Sequence, residues 1–531
     1  MPRTFTLVGV HFTAHDELSL FWLLLALGAF LVIAATRHLP VSLLLVCGGL
    51  LLGFVPGLPQ IELPPDLILV AILPPLLYSS AFFTGLRDLR ANLRPVSLLA
   101  FGVVVATTCV VAVVAHGAVS GLSWGSAFAL GAIVSPTDAL AATEVLGRLR
   151  LPRRLVAILE GESLLNDGSA LVLYKTAVAA AVTGAFSFWD ASWHLVLSVA
   201  GGIAVGLGIG YCVRQVRKRV DDTPTEVAIA LLSGYLAYLP AVALGVSGVL
   251  AAVTIGVYMG WYTPELTNTQ TRLSGDAFWE ILVFIVNALL FALIGLQLHE
   301  IAGRLPITAS LIGEAAMVVV AVVAVRFVCV PIVTYVPRLL FRSVREHDPY
   351  PPWQYPLIVS WAGIRGAVSL AAALALPIDV PGRDEIVFIA FVVILFSLIG
   401  PVLTLPALVR LSGIEDDGRA DREDAKARIK AAEAALARLE ELAEEDWVHP
   451  ETAARLRGQY RFRANRFQAR FTGEDEDGVE EQSLRYQRLR RELLDAERGA
   501  VLALRNEGAI TEEVMQRVQR DIDLEVQRLD V

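Results

Sequence analysis

From Leu18 to Leu411 the chain is a near-continuous series of apolar runs. Most are about 20 residues long, the length a helix needs to cross a hydrocarbon core of ~30 Å. Few folds are open to such a chain. Backbone amides inside lipid must be satisfied within their own segment, so the runs must be helices in a polytopic bundle. At Ser412 the pattern stops and the chain becomes dense in Glu, Asp and Arg. Composition fits this division. Hydrophobic residues make up 55% and charged residues only 18%, where soluble domains carry about a quarter. The 531 residues thus divide into a membrane domain, 1–411, and a helical tail, 412–531. The tail holds most of the net charge of −9, which argues against nucleic acid as a partner.

Length and hydropathy give about thirteen spans. They cover 17–36, 39–58, 65–85, 94–119, 123–146, 154–183, 190–213, 224–243, 246–263, 276–299, 308–336, 353–378 and 384–411. Pro240 and Gly245 make the eighth and ninth the least distinct. Loops after odd-numbered runs carry Arg37, Arg87, Arg90, Arg94, Arg148, Arg150, Arg214, Lys218, Arg272, Arg338 and Arg342, among others. Loops after even-numbered runs carry only Arg304 and Arg383. The positive-inside rule then puts the N-terminus outside and the tail in the cytoplasm of a plasma-membrane protein. The first run lacks a small-residue cleavage site and is expected to be retained as a helix. Cys47, Cys109, Cys212 and Cys329 form no metal-ligand spacing and are expected to pack as small buried hydrophobes.

Two runs are interrupted as plain spanning helices would not be. The fifth contains Ser135-Pro136-Thr137-Asp138, and the twelfth contains Gly363-Ile364-Arg365-Gly366. Proline removes a backbone donor and crowds the preceding turn, while glycine weakens a helix. The breaks lie seven runs apart, as two six-segment halves joined by one extra segment would place them. Broken helices at matching positions of two repeats point to a transporter's binding site.

The sixth run carries Glu160-Gly161-Glu162-Ser163-Leu164-Leu165-Asn166-Asp167-Gly168. A charge at the bilayer centre costs at least about 2.5–3.5 kcal/mol and marks ion or proton pathways. Residues three or four apart share a helix face, so Ser163 lies near Asn166 and Asp167, and Glu162 near Asn166. Asp167, Ser163 and Thr137 supply the oxygen ligands that hard cations prefer, with carbonyls freed by Pro136. Asp138 suits the positive ends of the broken helices and Arg365 the negative ones. Arg365 needs an acid, and Glu162 is its expected partner, with Glu160 and Asp138 as alternatives. Glu226, Glu280, Glu314 and Arg326 read as structural, Lys175 as a snorkelling residue, and His116 and His194 as simple polar contacts. No phosphate-binding loop, zinc-protease motif or serine-hydrolase elbow is present. That argues against an ATP-driven pump and against an enzyme, and no cofactor is implied.

Three motifs together, Gly131-Ala-Ile-Val-Ser-Pro-Thr-Asp138, Glu160-Gly-Glu-Ser-Leu-Leu-Asn-Asp167 and Gly363-Ile-Arg-Gly-Ala-Val-Ser369, resemble the monovalent cation:proton antiporter-1 family. That family includes bacterial Nha-type sodium/proton antiporters and eukaryotic NHE exchangers. The resemblance implies a thirteen-helix inverted-repeat fold with two crossed broken helices, usually a homodimer. It implies that Asp167 binds the cation and the proton, that Ser163 and Thr137 are ligands, and that Asn166 belongs to the family's Asn-Asp pair. Glu162 matches the acid that pairs with the arginine at Arg365, and Asp138 matches the acid at the crossing. Two departures stand out. Ala139 follows Asp138 where many relatives have proline, and Ser79 follows Leu73-Pro-Pro where many have an acid.

The expected function is exchange of Na⁺, with Li⁺ as a second cation, for H⁺ by competition at Asp167. Asn166 is neutral, which favours one-for-one, electroneutral exchange. A K⁺/H⁺ antiporter is the nearest alternative. A cation channel and a non-transporting sensor are the alternatives of another class. Glu160 and the tail have no assigned role from sequence.

Overall fold

The computed structural model describes residues 5–7, 10–12, 41–53, 67–138, 151–184, 188–414, 416, 418–472 and 479–529, with single residues between 25 and 36. The expected first span, 17–36, and the second half of the fifth lie largely outside the described residues. The chain divides into two compact units, Met1–Glu415 and Asp416–Val531.

Among the described residues the first unit is helical apart from one short antiparallel pair, β1 (Phe5–Leu7) with β2 (Val10–Phe12). Its longer helices are α1 (Val41–Gly53), α2 (Leu73–Phe83), α3 (Leu93–Ala118), α4 (Trp124–Val134), α5 (Arg153–Thr183), α6 (Phe188–Arg217) and α7 (Thr223–Ala243). There follow α8 (Gly248–Leu266), α9 (Thr269–Arg304), α10 (Ala309–Leu340), α11 (Gln354–Trp361), α12 (Ala367–Leu374) and α13 (Arg383–Ser412). Among the described residues, six helices are long and apolar enough to cross a membrane. Helix α5 is not one of them, because the polar stretch occupies its middle.

Local chemistry sets the boundaries. Ser123 caps α4 by accepting from the Ser126 amide at 3.1 Å, and α4 stops two residues before Pro136. Pro152 leads into α5, and Gly184 ends it at φ 69°. The eighth and ninth runs are separate helices. Pro240 lies inside α7, Gly245 turns the chain at φ 75°, and Ser247 caps α8 through the Leu250 amide.

Two main apolar clusters organise the bundle, beside two smaller ones that join α2 to α5 and join α2 and α9 to α12. The larger draws mainly on α3, α4, α5 and α10 to α13, including Ile133, Leu155, Ile358 and Phe391. The second draws on α2 and α6 to α9, including Tyr78, Ile255, Met259 and Trp279. The cysteines depart from the expectation of burial. Cys109 and Cys212 are exposed, and Cys47 and Cys329 only partly buried. In a membrane bundle the outer faces are apolar too, so an apolar run does not say which face is inside.

Asp348, in the loop before α11, gathers the ends of three helices. It accepts from Arg94 of α3, from Arg154 of α5 at 2.6 Å and from Arg338 of α10 at 2.7 Å. Burial pushes its carboxyl up, but hydrogen bonds from Arg154 and Arg338, and their charges, outweigh this and hold it below the usual carboxylate range.

The second unit consists of α14 (Arg419–Leu442), α15 (Pro450–Thr472), α16 (Val479–Asn506) and α17 (Glu512–Leu529). It packs as two pairs, α14 against α15 and α16 against α17. Arg457 bridges the first pair to Glu440, and Arg498 the second to Asp523.

Candidate functional site

Both predicted breaks are present, and they touch. Helix α4 ends at Val134 and residues 135–138 run on without helical structure. The twelfth run splits into α11 and α12, with residues 362–366 between them. The Asp138 amide donates to the Ile364 carbonyl at 2.6 Å, joining the two breaks through backbone. Gly366 packs so closely on Asp138 that any Cβ there would collide with the carboxylate. Asp138 therefore sits at the N-terminus of α12, the positive end of that half-helix. Arg365 points the other way. Its Nε donates to the Val134 carbonyl at 3.0 Å, and its Nη1 donates to the Gly363 carbonyl. These carbonyls lie at or just beyond the C-terminal ends of α4 and α11, where partial negative charge collects. The Arg365 amide donates to Ser397 Oγ at 3.0 Å.

The expected ion pair between Glu162 and Arg365 is not formed. Glu162 pairs with Arg326 of α10, which donates from Nη1 to Oε1 at 2.6 Å and from Nη2 to Oε2 at 3.3 Å. Arg326 also donates to the carbonyls of Val359 and Ser360. The cause is local: Gly363 lies against the Arg326 guanidinium, and a side chain there would occupy its place. Both arginines are lone charges in apolar runs, so sequence spacing alone did not tell them apart. Arg365 Nη2 has no partner among the described residues. Arg365 borders a cavity of about 20 Å³ with Arg326, Ser360 and Ser397, enough for one water.

Thr137 links the break to α5. Its hydroxyl donates to Glu162 Oε1 at 3.2 Å and accepts from Asn166 Nδ2 at 2.7 Å. Asn166 Nδ2 also donates to the Thr137 carbonyl at 3.2 Å. A buried chain thus runs from Arg326 through Glu162 and Thr137 to Asn166. Asn166 acts as a brace in this arrangement, and Pro136 with Thr137 gives the break its wall.

Asp167 is placed differently. It is buried and has no ion-pair partner among the described residues. It opens into a cavity of about 50 Å³ shared with Pro136, Thr137, Asp138, Ser163 and Ser369. The opposite wall is α2 and α9, through Leu73, Leu76, Leu77, Ser80, Asn287 and Phe291. The cavity therefore lies where α2 and α9 face α4, α5 and α12, beside two small apolar clusters that join these helices. Glu160 is not part of its lining.

Ser80, Asn287 and Ser369 were not picked out as site residues from the sequence. Asn287 is a carboxamide inside a long apolar run, a signal the sequence did offer; Ser80 and Ser369 are small hydroxyls and gave little. Ser79 does not take the place of the missing acid, since it donates to the Leu76 carbonyl of its own helix at 2.9 Å. Glu226 pairs with Arg217 at 3.2 Å in the second cluster. The His116 ring contacts the Leu122 carbonyl and stacks on Trp124.

Comparison with known proteins agrees with this architecture. The family model described as sodium/hydrogen exchanger, transmembrane, matches residues 20–411. The chain is 35% identical over 503 residues to an uncharacterized Na⁺/H⁺ exchanger of Mycobacterium tuberculosis, covering 92% of this chain and 91% of that one. It is 35% identical over 409 residues to the Na⁺/H⁺ antiporter ApNhaP of Aphanothece halophytica, covering 76% of each. A sodium, potassium, lithium and rubidium/H⁺ antiporter of Bacillus subtilis is 32% identical over 389 residues, 70% of this chain and 58% of that one. The fold is similar to that of the sodium proton antiporter MjNhaP1 of Methanocaldococcus jannaschii, with a TM-score of 0.57 at 19% identity over 75% of this chain and 99% of that chain. The match over 20–411 and the interrupted helices meeting beside a buried aspartate lead to one conclusion: the chain belongs to the sodium/hydrogen exchanger family of monovalent cation:proton antiporters.

Proposed function

We propose that the protein exchanges Na⁺ for H⁺, one for one, at Asp167. The observation that carries this is the charge balance at the crossing of the broken helices. Glu162, Asp138 and Asp167 are gathered there with Arg326 and Arg365. Among the described residues, with all five ionised, one negative charge is in excess. An uncompensated buried charge is costly in a membrane. One proton on Asp167, or one Na⁺ beside it, removes the excess, while both together would reverse it. Competition for a single carboxylate then couples the two fluxes. Asn166 is neutral and leaves this count unchanged.

The cavity lies between α4, α5 and α12 on one side and α2 and α9 on the other. Relative movement of those two groups of helices opens Asp167 to each side of the membrane in turn. We assign ion ligation to Asp167, Ser163 and Thr137, and structural roles to Asn166, Asp138, Glu162, Arg365 and Pro136. The protein is placed in the plasma membrane as a homodimer, with its N-terminus outside and its tail cytoplasmic. Li⁺ is the second cation. K⁺ is the rival substrate, because the Bacillus subtilis relative is named for four alkali cations.

Proteoliposomes that report internal pH during Na⁺, Li⁺ and K⁺ pulses test this directly. Cation-driven proton flux whose end-point ignores a clamped membrane potential is expected. An end-point that follows the potential overturns the one-for-one stoichiometry. Currents without proton counterflow would instead mark a channel.

A further inference from the structure

We infer that Ser369 is a ligand of the transported cation, contributed by the half-helix that follows the second break. This rests on Asp167 being the exchanged carboxylate. Ser369 is the third residue of α12 and is 1% exposed. Its hydroxyl has no hydrogen-bond partner among the described residues, and the residue lines the same cavity as Asp167 and Ser163. Neighbouring buried serines behave otherwise. Ser79 donates to the Leu76 carbonyl, Ser135 to the Ala132 carbonyl, and Ser169 to the carbonyls of Ala100 and Asn166. Helical serines ordinarily bond back in this way. A buried hydroxyl left without a partner is destabilising, and a ligand arriving in the cavity supplies one.

The ligand chemistry points to the cation. Hard cations take oxygen donors, and the structure limits where they come from. The Thr137 hydroxyl already donates to Glu162 and accepts from Asn166, and its carbonyl accepts from Asn166 as well. Ser369 has both lone pairs available. A cation held by Asp167 and Ser163 of α5, by the oxygen lone pairs that Thr137 still has free, and by Ser369 of α12 ties the second broken helix to the site. A proton needs Asp167 alone. Ser369 therefore raises affinity for the cation and does not contribute to proton binding.

The test uses the full-length protein in proteoliposomes with Na⁺ saturation curves, and in detergent with Na⁺-dependent melting. Ser369→Ala should raise the apparent KM for Na⁺ about tenfold, the equivalent of one lost polar contact, with the maximal rate kept within roughly twofold. In Na⁺-free buffer its Tm should be unchanged or higher, because an unsatisfied hydroxyl has been removed, and the Tm rise on adding Na⁺ should shrink. Ser369→Cys replaces a hard donor with a soft one, so its Tl⁺-to-Na⁺ preference should shift toward Tl⁺ by about fivefold or more. The inference is overturned if Ser369→Ala keeps the parent KM for Na⁺. It is equally overturned if that variant melts lower without Na⁺ while Ser369→Cys keeps the parent Tl⁺-to-Na⁺ preference. If the unsubstituted protein shows no cation-driven proton flux, the exchange function itself fails, and that result is distinct from either outcome above.

Discussion

At the scale of single residues, the crossing separates carboxylates by what they face. Glu162 is locked between the Arg326 guanidinium and the Thr137 hydroxyl, whereas Asp167 opens into the cavity. Asp167→Asn should therefore abolish cation-coupled proton flux while the protein still folds and melts cooperatively. Retained exchange at normal affinity would remove Asp167 from the centre of the mechanism. Glu162→Gln leaves Arg326 buried and under-paired, which costs about 3–5 kcal/mol where measured for such pairs. A double-mutant cycle should show strong coupling of Glu162 with Arg326 and much weaker coupling with Arg365. The reverse ranking would restore the pairing that the sequence suggested.

At the scale of elements, the two broken helices are held by opposite chemistry at their ends. Asp138 lies at the start of α12, and Arg365 binds carbonyls beyond α4 and α11. Gly366→Ala pushes into Asp138 and should reduce exchange to below about a tenth of the parent rate, as expected when a fixed constellation is displaced by about an ångström. Gly313→Ala in α10 meets nothing nearby and should leave the rate unchanged. Equal loss in both variants would show that the close approach at Gly366 is not specific. The Asp348 cluster gives a prediction in pH. Its carboxyl is held below the usual value when folded. Its stabilisation is therefore fully present above the unfolded value of about 3.9 and is lost as pH falls through the lower folded value. The Tm difference between parent and Asp348→Asn should be constant near neutrality and shrink below about pH 4. A difference that grows on acidification would contradict the cluster.

At the scale of the whole molecule, the arginine-rich loops predict the side of the membrane on which the second unit lies. If the tail is cytoplasmic, trypsin added to inside-out vesicles should release the second unit, and right-side-out vesicles should protect it. The opposite result would invert the topology and every loop assignment with it. The cavity lies between α4, α5 and α12 on one side and α2 and α9 on the other. A cross-link from α2 or α9 to α5 near the cavity should therefore stop exchange without preventing Na⁺ binding.

Hydropathy, loop charge and the placement of proline and glycine determined a great deal without any tertiary information. They located most of the described helices of the first unit, the two breaks and the polar face of α5, because these depend on short-range chemistry and on the cost of polar groups in lipid. Tertiary structure decided which arginine meets Glu162, since both candidates satisfy the same charge requirement and only the space beside Gly363 favours Arg326. It also decided which cysteines face outward, because lipid and protein interior are equally apolar. And it singled out Ser369, whose significance is a missing hydrogen bond, a property that exists only once every neighbouring donor and acceptor has been placed.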